Sequence, residues 1–272
     1  MFATDLIDYY KEEIYARTCG SVRHSDGRSR QPLSKSGLQA AKPLIPVLGK
    51  PMIQLVVENL TPKKYQAKFV FLVQQAHIER YHVDQLLQRV APGCGIVPVH
   101  GLTEGAACTV LLARDHLDAN QPLVIANCDQ YVDCSMDAFF EAWFEGDYDG
   151  MIMTMKADDP KWSFVGFDCT GKPDRVVEKQ VISEEATVGI YGFTRAVDFI
   201  RGADAMIAAD DRVKNEFYVA PVYNYLVKDG ARLGLFNIGS ERHGMYGIGI
   251  SEDLQYFETL PLARKACALE MP

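Results

Sequence analysis

The sequence predicts an α/β protein, with a three-layer α/β/α domain, a mixed sheet and a small antiparallel lobe beside it. Short apolar runs alternate with amphipathic helical patterns between residues 42 and 145, which is typical of strands joined by crossover helices. Residues 151–193 hold strand-like runs without long helices between them, which favours antiparallel pairing. With 272 residues, 48% apolar and 24% charged, the chain has the size and composition of one large globular domain.

In the first half, predicted strands and helices alternate in order. The strands are short apolar runs at 68–73, 96–99 and 123–126. The helices are amphipathic segments at 78–90, 105–117 and 135–144. Ser135 stands where a helix N-cap is expected. Because parallel strands need crossover connections of about a dozen residues, this spacing predicts a largely parallel sheet.

The second half changes character after residue 150. Strands are predicted at 151–155, 164–167, 175–179 and 187–193. Helices are predicted at 196–208 and 217–227, and a further helix opens at an N-cap serine, Ser251. The four strands are separated mainly by turns, which predicts the antiparallel lobe.

Charge, hydropathy and cysteine usage exclude several classes of function. The net charge of −8 argues against broad binding to nucleic acid or anionic membranes, since both need a basic face. No stretch approaches the ~20 apolar residues of a membrane span. Residues 1–20 carry acids and tyrosines where a signal peptide would be apolar. The seven scattered cysteines lack zinc-site spacing. We therefore expect a cytoplasmic protein without membrane insertion.

The run from Lys42 to Ile53, KPLIPVLGKPMI, is the most informative stretch. Its three prolines exclude an ordinary helix, because each removes a backbone donor and pushes the preceding residue toward extended geometry. Six apolar residues would anchor the run to a core, so it predicts a stiff extended loop that holds Lys42 in one place. Two interpretations stay open on these residues alone: a lysine placed for a phosphate, or a buried connection whose lysines face water.

Asp129 follows the predicted strand 123–126. In α/β sheets, ligands bind outside the carboxyl ends of the strands. A carboxylate at this point can hold Mg²⁺ against substrate phosphates. The alternative, on local sequence, is an ordinary turn aspartate.

In sequence, the Lys42 run resembles the signature loop of the sugar-1-phosphate nucleotidyltransferases, the nucleoside-diphosphate-sugar pyrophosphorylases, and the resemblance extends in order over residues 37 to about 258. It implies a Rossmann-like, GT-A-like mixed sheet, with a nucleotide half to about residue 150 and an acceptor half after it. The implied reaction joins an NTP to a phosphorylated sugar or sugar-like acceptor, releasing pyrophosphate. Mg²⁺ is the implied cofactor, and nucleotide-sugar supply for capsule or surface polysaccharide is the implied role.

The resemblance also implies roles for individual residues in the nucleotide half. Lys42 matches the lysine that touches the phosphates, and Asp129 matches the metal-holding aspartate. Gly105 matches the glycine against which the nucleobase packs, and His100 falls where a polar side chain contacts the base. Gln130 stands where the family often has a sugar contact.

In the acceptor half, Glu178 and Lys179 resemble the Glu-Lys-Pro motif that grips the acceptor's hydroxyls and phosphate, although Gln180 replaces the proline. Gly189, in the next strand, matches a glycine that lets the acceptor approach the backbone. Glu216, in Asn-Glu-Phe-Tyr, matches an acidic acceptor contact at the start of the following helix.

The chain departs from the family pattern at its N-terminus. The family opens with an apolar strand and a glycine-rich loop, whereas residues 17–36 are rich in arginine and serine. We expect no buried strand there, which makes residues 1–36 a divergent segment preceding a domain of residues 37–272. Arg30 is the nearest candidate for the signature arginine. Two explanations stay open: an arginine-rich flap that orders on a triphosphate, or an altered N-terminus from a wrong start or a reading-frame error.

Two further departures concern the metal and the acceptor. Gly247 occupies the place of an aspartate in the family's late metal motif, so metal binding would rest on Asp129, substrate phosphates and water. Trp162 and Ser163 replace a Tyr-Gly pair near the acceptor, which predicts a different acceptor pocket.

Two alternatives to this enzyme remain. A GT-A glycosyltransferase shares the fold but wants an Asp-x-Asp motif, and Asp129 and Asp133 have the wrong spacing. A catalytically weak nucleotide-binding or regulatory homologue is favoured by Gly247 and by the missing glycine-rich loop. A homo-oligomer through the C-terminal helices is compatible with the sequence, although no pattern demands one.

Overall fold

The computed structural model describes residues 14–19 and 41–268. The strands are β1 (Ile14–Cys19), β2 (Pro46–Val47), β3 (Lys50–Pro51), β4 (Ala67–Gln74), β5 (Gly95–Val99), β6 (Leu123–Ala126), β7 (Gln130–Val132), β8 (Gly150–Lys156), β9 (Ser163–Phe167), β10 (Pro173–Glu178), β11 (Glu185–Phe193), β12 (Leu233–Glu241) and β13 (Gly244–Gly247). The α-helices are α1 (Met52–Leu60), α2 (Gln75–Tyr81), α3 (Val83–Val90), α4 (Ala106–Leu111), α5 (Met136–Glu145), α6 (Ala196–Ala208), α7 (Tyr223–Lys228), α8 (Ser251–Thr259) and α9 (Pro261–Ala266). Within these residues, no helix is long and apolar enough to span a bilayer.

Eleven strands of the described chain form one mixed sheet, in the order β5-β4-β1-β6-β11-β8-β12-β13-β7 with β9 and β10 attached through β11. The first four are parallel, and β11 runs antiparallel between β6 and β8. The β9–β10 hairpin pairs with β11 through Ala186 and Phe164. The predicted mixed sheet and antiparallel lobe are confirmed.

Helices cover both faces of the sheet. Along β6, Leu123 and Ile125 belong to the core cluster that includes Phe199 of α6. Their neighbours Val124 and Ala126 belong to a second cluster, which includes Phe139 of α5. Because successive strand residues point to opposite faces, this alternation places one helical layer on each side. The predicted three-layer α/β/α architecture is therefore confirmed.

Several predicted elements end elsewhere than expected. The strand 123–126 and the helix 196–208 agree residue for residue. The single helix expected at 78–90 is two helices, because His82 adopts a left-handed backbone with φ 51°. The helix expected to run from 105 to 117 ends at Leu111. The helix expected from 217 begins at Tyr223, since Pro221 lies in a preceding 3₁₀ turn.

The expectation of no strand upstream of the Lys42 loop is wrong. β1 lies in the middle of the sheet, parallel to β4 on one side and β6 on the other. The expectation rested on the polarity of residues 17–36, whereas the strand begins at Ile14 and ends at Cys19. Ile, Tyr and Thr within it are residues that favour strands, and backbone pairing with two neighbours needs no continuous apolar run.

The Lys42 loop is anchored by buried apolar residues, as expected, but it is not simply extended. Residues 42–44 form a 3₁₀ turn, and β2 and β3 form a tight hairpin through Leu48 and Gly49, which have φ of 47° and 89°. Val47 and Met52 are fully buried. The hairpin is more compact than an extended run. It forms because the residues between the prolines keep backbone N–H and C=O groups that can pair.

Candidate functional site

Lys42 and Asp129 meet at the carboxyl end of the parallel strands. The 3₁₀ turn carries Lys42, and the connection from β6 to β7 carries Asp129. The Lys42 Nζ lies 3.4 Å from the Asp129 Oδ2, and the two side chains are 44% and 34% exposed. An ion pair this exposed contributes little to stability. Its charges remain accessible to a ligand.

The second lysine of the loop, Lys50, is engaged elsewhere. Its Nζ lies 2.6 Å from Glu58 Oε2 and donates to the Ala266 carbonyl at 3.0 Å. The hairpin is also held by α8, because the Leu48 N–H donates to Glu258 Oε1 at 3.1 Å. Lys50 therefore ties the hairpin to the C-terminal helices, whereas Lys42 faces the strand ends.

The donor set at this point is sparse for a metal. In the described ranges, no group of three or more His, Cys, Asp or Glu side chains could hold an ion. Mg²⁺ in phosphate-transfer sites commonly takes one or two carboxylates, with phosphate oxygens and water completing the octahedron. A lone, partly exposed Asp129 fits that mode and does not fit an all-protein cage.

Gly105 touches the loop at residues 213–218. Its φ is 133°, and a Cβ would lie 2.9 Å from the Phe217 carbonyl carbon and closer to the Phe217 N and O. The Phe217 N–H donates to the Glu104 carbonyl at 2.8 Å, and the Ala107 N–H donates to the Phe217 carbonyl at 3.0 Å. A side chain at 105 would thus displace the 213–218 loop. His100 is exposed just beyond β5.

Glu178 is buried at the end of β10, with 9% of its surface exposed. The Ser163 hydroxyl donates to Glu178 Oε2. Burial raises the pKa of Glu178 above its ordinary value, against the opposing effects of the Ser163 hydrogen bond and the Lys179 charge. The Trp162-Ser163 departure therefore has a local consequence: it adds a hydroxyl that holds one oxygen of this carboxyl.

Lys179 and Glu216 are joined by a tyrosine. The Lys179 Nζ donates to the Tyr218 hydroxyl at 2.9 Å, and that hydroxyl donates to Glu216 Oε2. The Lys179 N–H also donates to the Trp162 carbonyl at 3.0 Å. The residues predicted from the Glu-Lys and Asn-Glu-Phe-Tyr segments thus form one connected group, although Glu216 lies in a loop and not at a helix start.

Gln130 and Gly189 lie close together, since a Cβ at Gly189 would be 3.5 Å from Gln130 Oε1. Gln130 is 6% exposed, and within the described structure its Nε2 has no hydrogen-bond partner. Gly189 has φ 82°, and a Cβ there would lie 3.0 Å from the Asn127 Cγ. The Asn127 N–H donates to the Gly189 carbonyl at 3.2 Å. A buried donor without a partner is costly, so an oxygen acceptor placed beside Gln130 Nε2 would be stabilising.

The solved structures that resemble the chain include the following three. The nucleoside-diphosphate-sugar pyrophosphorylase from Vibrio cholerae RC9 superposes with a TM-score of 0.71 at 21% identity, covering 91% of this chain and 100% of its own. A glucose-1-phosphate thymidylyltransferase structure from Bacillus anthracis gives 0.66 at 16% identity, covering 96% and 98%. The inositol-1-phosphate CTP transferase from T. maritima gives 0.65 at 14%, covering 96% and 99%. The chain has the fold of the sugar-phosphate nucleotidyltransferases.

No protein-family model matches the chain. At these identities the shared property is the nucleotidyltransferase fold alone, so the roles of the site residues rest on the geometry above. Arg30, the candidate for the signature arginine, lies outside the described residues.

Sequence reasoning missed three residues that shape this candidate site. They are Asn127 against Gly189, Tyr218 against Lys179, and Gly249 against Asp129. Each adjoins or lies within a motif that was singled out. None carries a signal of its own, because each acts on a residue from another part of the chain. The sequence points to Ser163 but not to its hydrogen bond with Glu178.

Proposed function

We propose that the protein is a nucleotidyltransferase that joins an NTP to a phosphorylated sugar or sugar-like acceptor, giving an NDP-conjugate and pyrophosphate. The observation that carries the proposal is the pairing of Lys42 with Asp129, at 3.4 Å, at the carboxyl ends of the parallel strands. Lys179, Tyr218 and Glu216 are linked by hydrogen bonds. With Glu178, the neighbour of Lys179 in sequence, they form a second wall of the site that we assign to the acceptor.

The reaction suits these residue types. An oxygen of the acceptor phosphate attacks the α-phosphorus of the NTP, a new P–O bond forms, and the bond to the bridging oxygen breaks so that pyrophosphate leaves. The attacking phosphate is already ionised, so no general base is required. Both reactants are anionic, and the protein's task is positioning and charge neutralisation.

The first wall of the site is the Lys42–Asp129 pair, and each wall has a distinct role. Lys42 binds the triphosphate, and Lys179 docks the acceptor phosphate. Gln130 donates to an oxygen of the acceptor, while Glu178 and Glu216 accept hydrogen bonds from the hydroxyls of the acceptor.

On the nucleotide side, His100 and Gly105 line the position of the nucleobase. Asp129 would hold Mg²⁺, which when bound neutralises phosphate charge.

The wider role that we propose is nucleotide-sugar supply for surface polysaccharide, in the cytoplasm. The motif order from Lys42 to Glu216 supports this role.

The test is pyrophosphate release from a panel of four NTPs with Mg²⁺ and a panel of sugar-, inositol- and aminoalcohol-phosphates. We expect one NTP and one acceptor class to give turnover that needs both substrates. Lys50→Ala is the matched control for Lys42→Ala, because both lysines belong to one loop and only Lys42 faces Asp129. Absence of release from every pair would overturn the proposal.

One observation favours a second candidate, a nucleotide-binding homologue with weak or no catalysis. Gly247 carries no side chain at the end of β13, where the resemblance implies a metal-binding carboxylate. This candidate predicts NTP binding by calorimetry without pyrophosphate release, whereas the enzyme gives both.

A further inference from the structure

The connection from β13 to α8 runs directly against Asp129. The Ile248 N–H donates to the Asp129 carbonyl at 2.9 Å, and the Ile248 side chain is fully buried. This segment is therefore fixed to the backbone that carries the Asp129 carboxylate.

At position 249, the nearby Asp129 side chain leaves no room for a Cβ, whereas the backbone conformation itself does not require glycine. A Cβ at this position would lie 2.8 Å from the Asp129 Cγ and 3.1 Å from its Cβ, and closer still to Oδ2. Gly249 is not among the residues with a left-handed backbone, so alanine would fit its conformation. Gly247, two residues earlier, differs: a Cβ there meets only Asp253 Oδ2, at 3.6 Å, an ordinary contact.

We infer that Gly249 is a positioning residue that seats the Asp129 carboxylate. The missing side chain leaves room for Oδ2, and Lys42 Nζ approaches the same oxygen at 3.4 Å. A methyl group at 249 would push the carboxylate out of this slot and change its position relative to Lys42. The catalytic consequence rests on the proposed function, whereas the seating itself does not.

A double-mutant cycle tests the inference. Gly249→Ala, Asp129→Ala and the double variant are compared for pyrophosphate release and for thermal unfolding, with Gly247→Ala as the control. We expect Gly249→Ala to lower kcat/KM about tenfold or more and to lower Tm by several degrees. In the Asp129→Ala background, both effects should shrink several-fold, because the carboxylate that clashes is gone. Gly247→Ala should stay near wild type in both measurements.

Equal effects of Gly249→Ala in both backgrounds would overturn the inference, since they would mean a clash with something other than the carboxylate. Equal effects of Gly249→Ala and Gly247→Ala would also overturn it. Should Gly249→Ala fail to fold, the double variant is expected to fold, and its failure counts against the seating. The Tm cycle decides the seating even if no substrate pair gives turnover, so it separates this inference from the proposed function.

Discussion

The two walls of the candidate site differ in how firmly their charges are held. On the phosphate side, Lys42 and Asp129 are 44% and 34% exposed and meet at 3.4 Å. On the acceptor side, Glu178 is buried against Ser163, and Tyr218 links Lys179 to Glu216. Loosely paired charges can turn toward a flexible triphosphate at little cost. Charges held in fixed positions select a ligand by its shape. We therefore assign charge neutralisation to the first wall and selection of the acceptor to the second.

The largest effect is expected on the phosphate side. Lys42→Ala removes the cation that faces Asp129, and we expect kcat/KM to fall about 100-fold or more, as for other preorganised charges at transferring groups. Lys50→Ala should keep turnover within a few-fold of wild type and lower Tm, because Lys50 bonds Glu58 and the Ala266 carbonyl. Steady-state kinetics of the two variants check the difference. Turnover of Lys42→Ala within a few-fold of wild type would contradict the assignment.

A smaller effect is expected from loosening the acceptor wall. Tyr218→Phe removes the hydroxyl that joins Lys179 to Glu216. Hydrogen bonds to charged groups contribute about 1.5–3 kcal/mol, so their loss should raise the KM for the acceptor about tenfold or more and leave the KM for the NTP unchanged. Tyr225→Phe, which loses a surface hydrogen bond to Asp211, is the control and should change neither. An equal rise in both KM values for Tyr218→Phe would mean that the two walls are not separate.

The smallest effect is on stability and depends on pH. Burial raises the pKa of Glu178 from 4.5, so the folded protein binds its proton more tightly than the unfolded chain does. The stability that this group contributes is complete below the unfolded pKa and is lost as pH rises through the folded pKa. Glu178→Gln stays neutral, so its free energy of unfolding relative to wild type should rise with pH across that window.

Urea denaturation at a series of pH values checks this prediction, and each pKa unit of the shift corresponds to about 1.4 kcal/mol. Glu79→Gln, on the exposed face of α2, is the surface control. If the free energy of unfolding of Glu178→Gln relative to wild type stays constant or falls as pH rises, the ionised carboxylate is well accommodated in the folded protein.

Whether the sequence predicts a structural feature depends on how far apart in the chain the residues that determine it lie. The α/β class, the strand 123–126 and the helix 196–208 follow from local periodicity, and the structure confirms them. The break at His82 depends on one residue's backbone, and β1 depends on pairing with strands more than 50 residues away. Local periodicity therefore predicts neither the break at His82 nor β1.

The site divides in the same way. Lys42 and Asp129 are found by motif order, and the structure brings them together. Ser163, Tyr218 and Gly249 act through contacts with residues 15 to 120 positions away or across a loop. Such partners become visible only once the chain is folded, because no local pattern records them.

The separate roles of the two walls are tested most directly by measuring substrate binding in Lys179→Met. Calorimetry with the NTP and Mg²⁺, and separately with the acceptor phosphate, reports each wall on its own. The account predicts that NTP affinity stays within about twofold of wild type and that acceptor affinity falls about tenfold or more, with Lys42→Met giving the opposite pattern. Equal losses of both affinities in Lys179→Met would contradict the division.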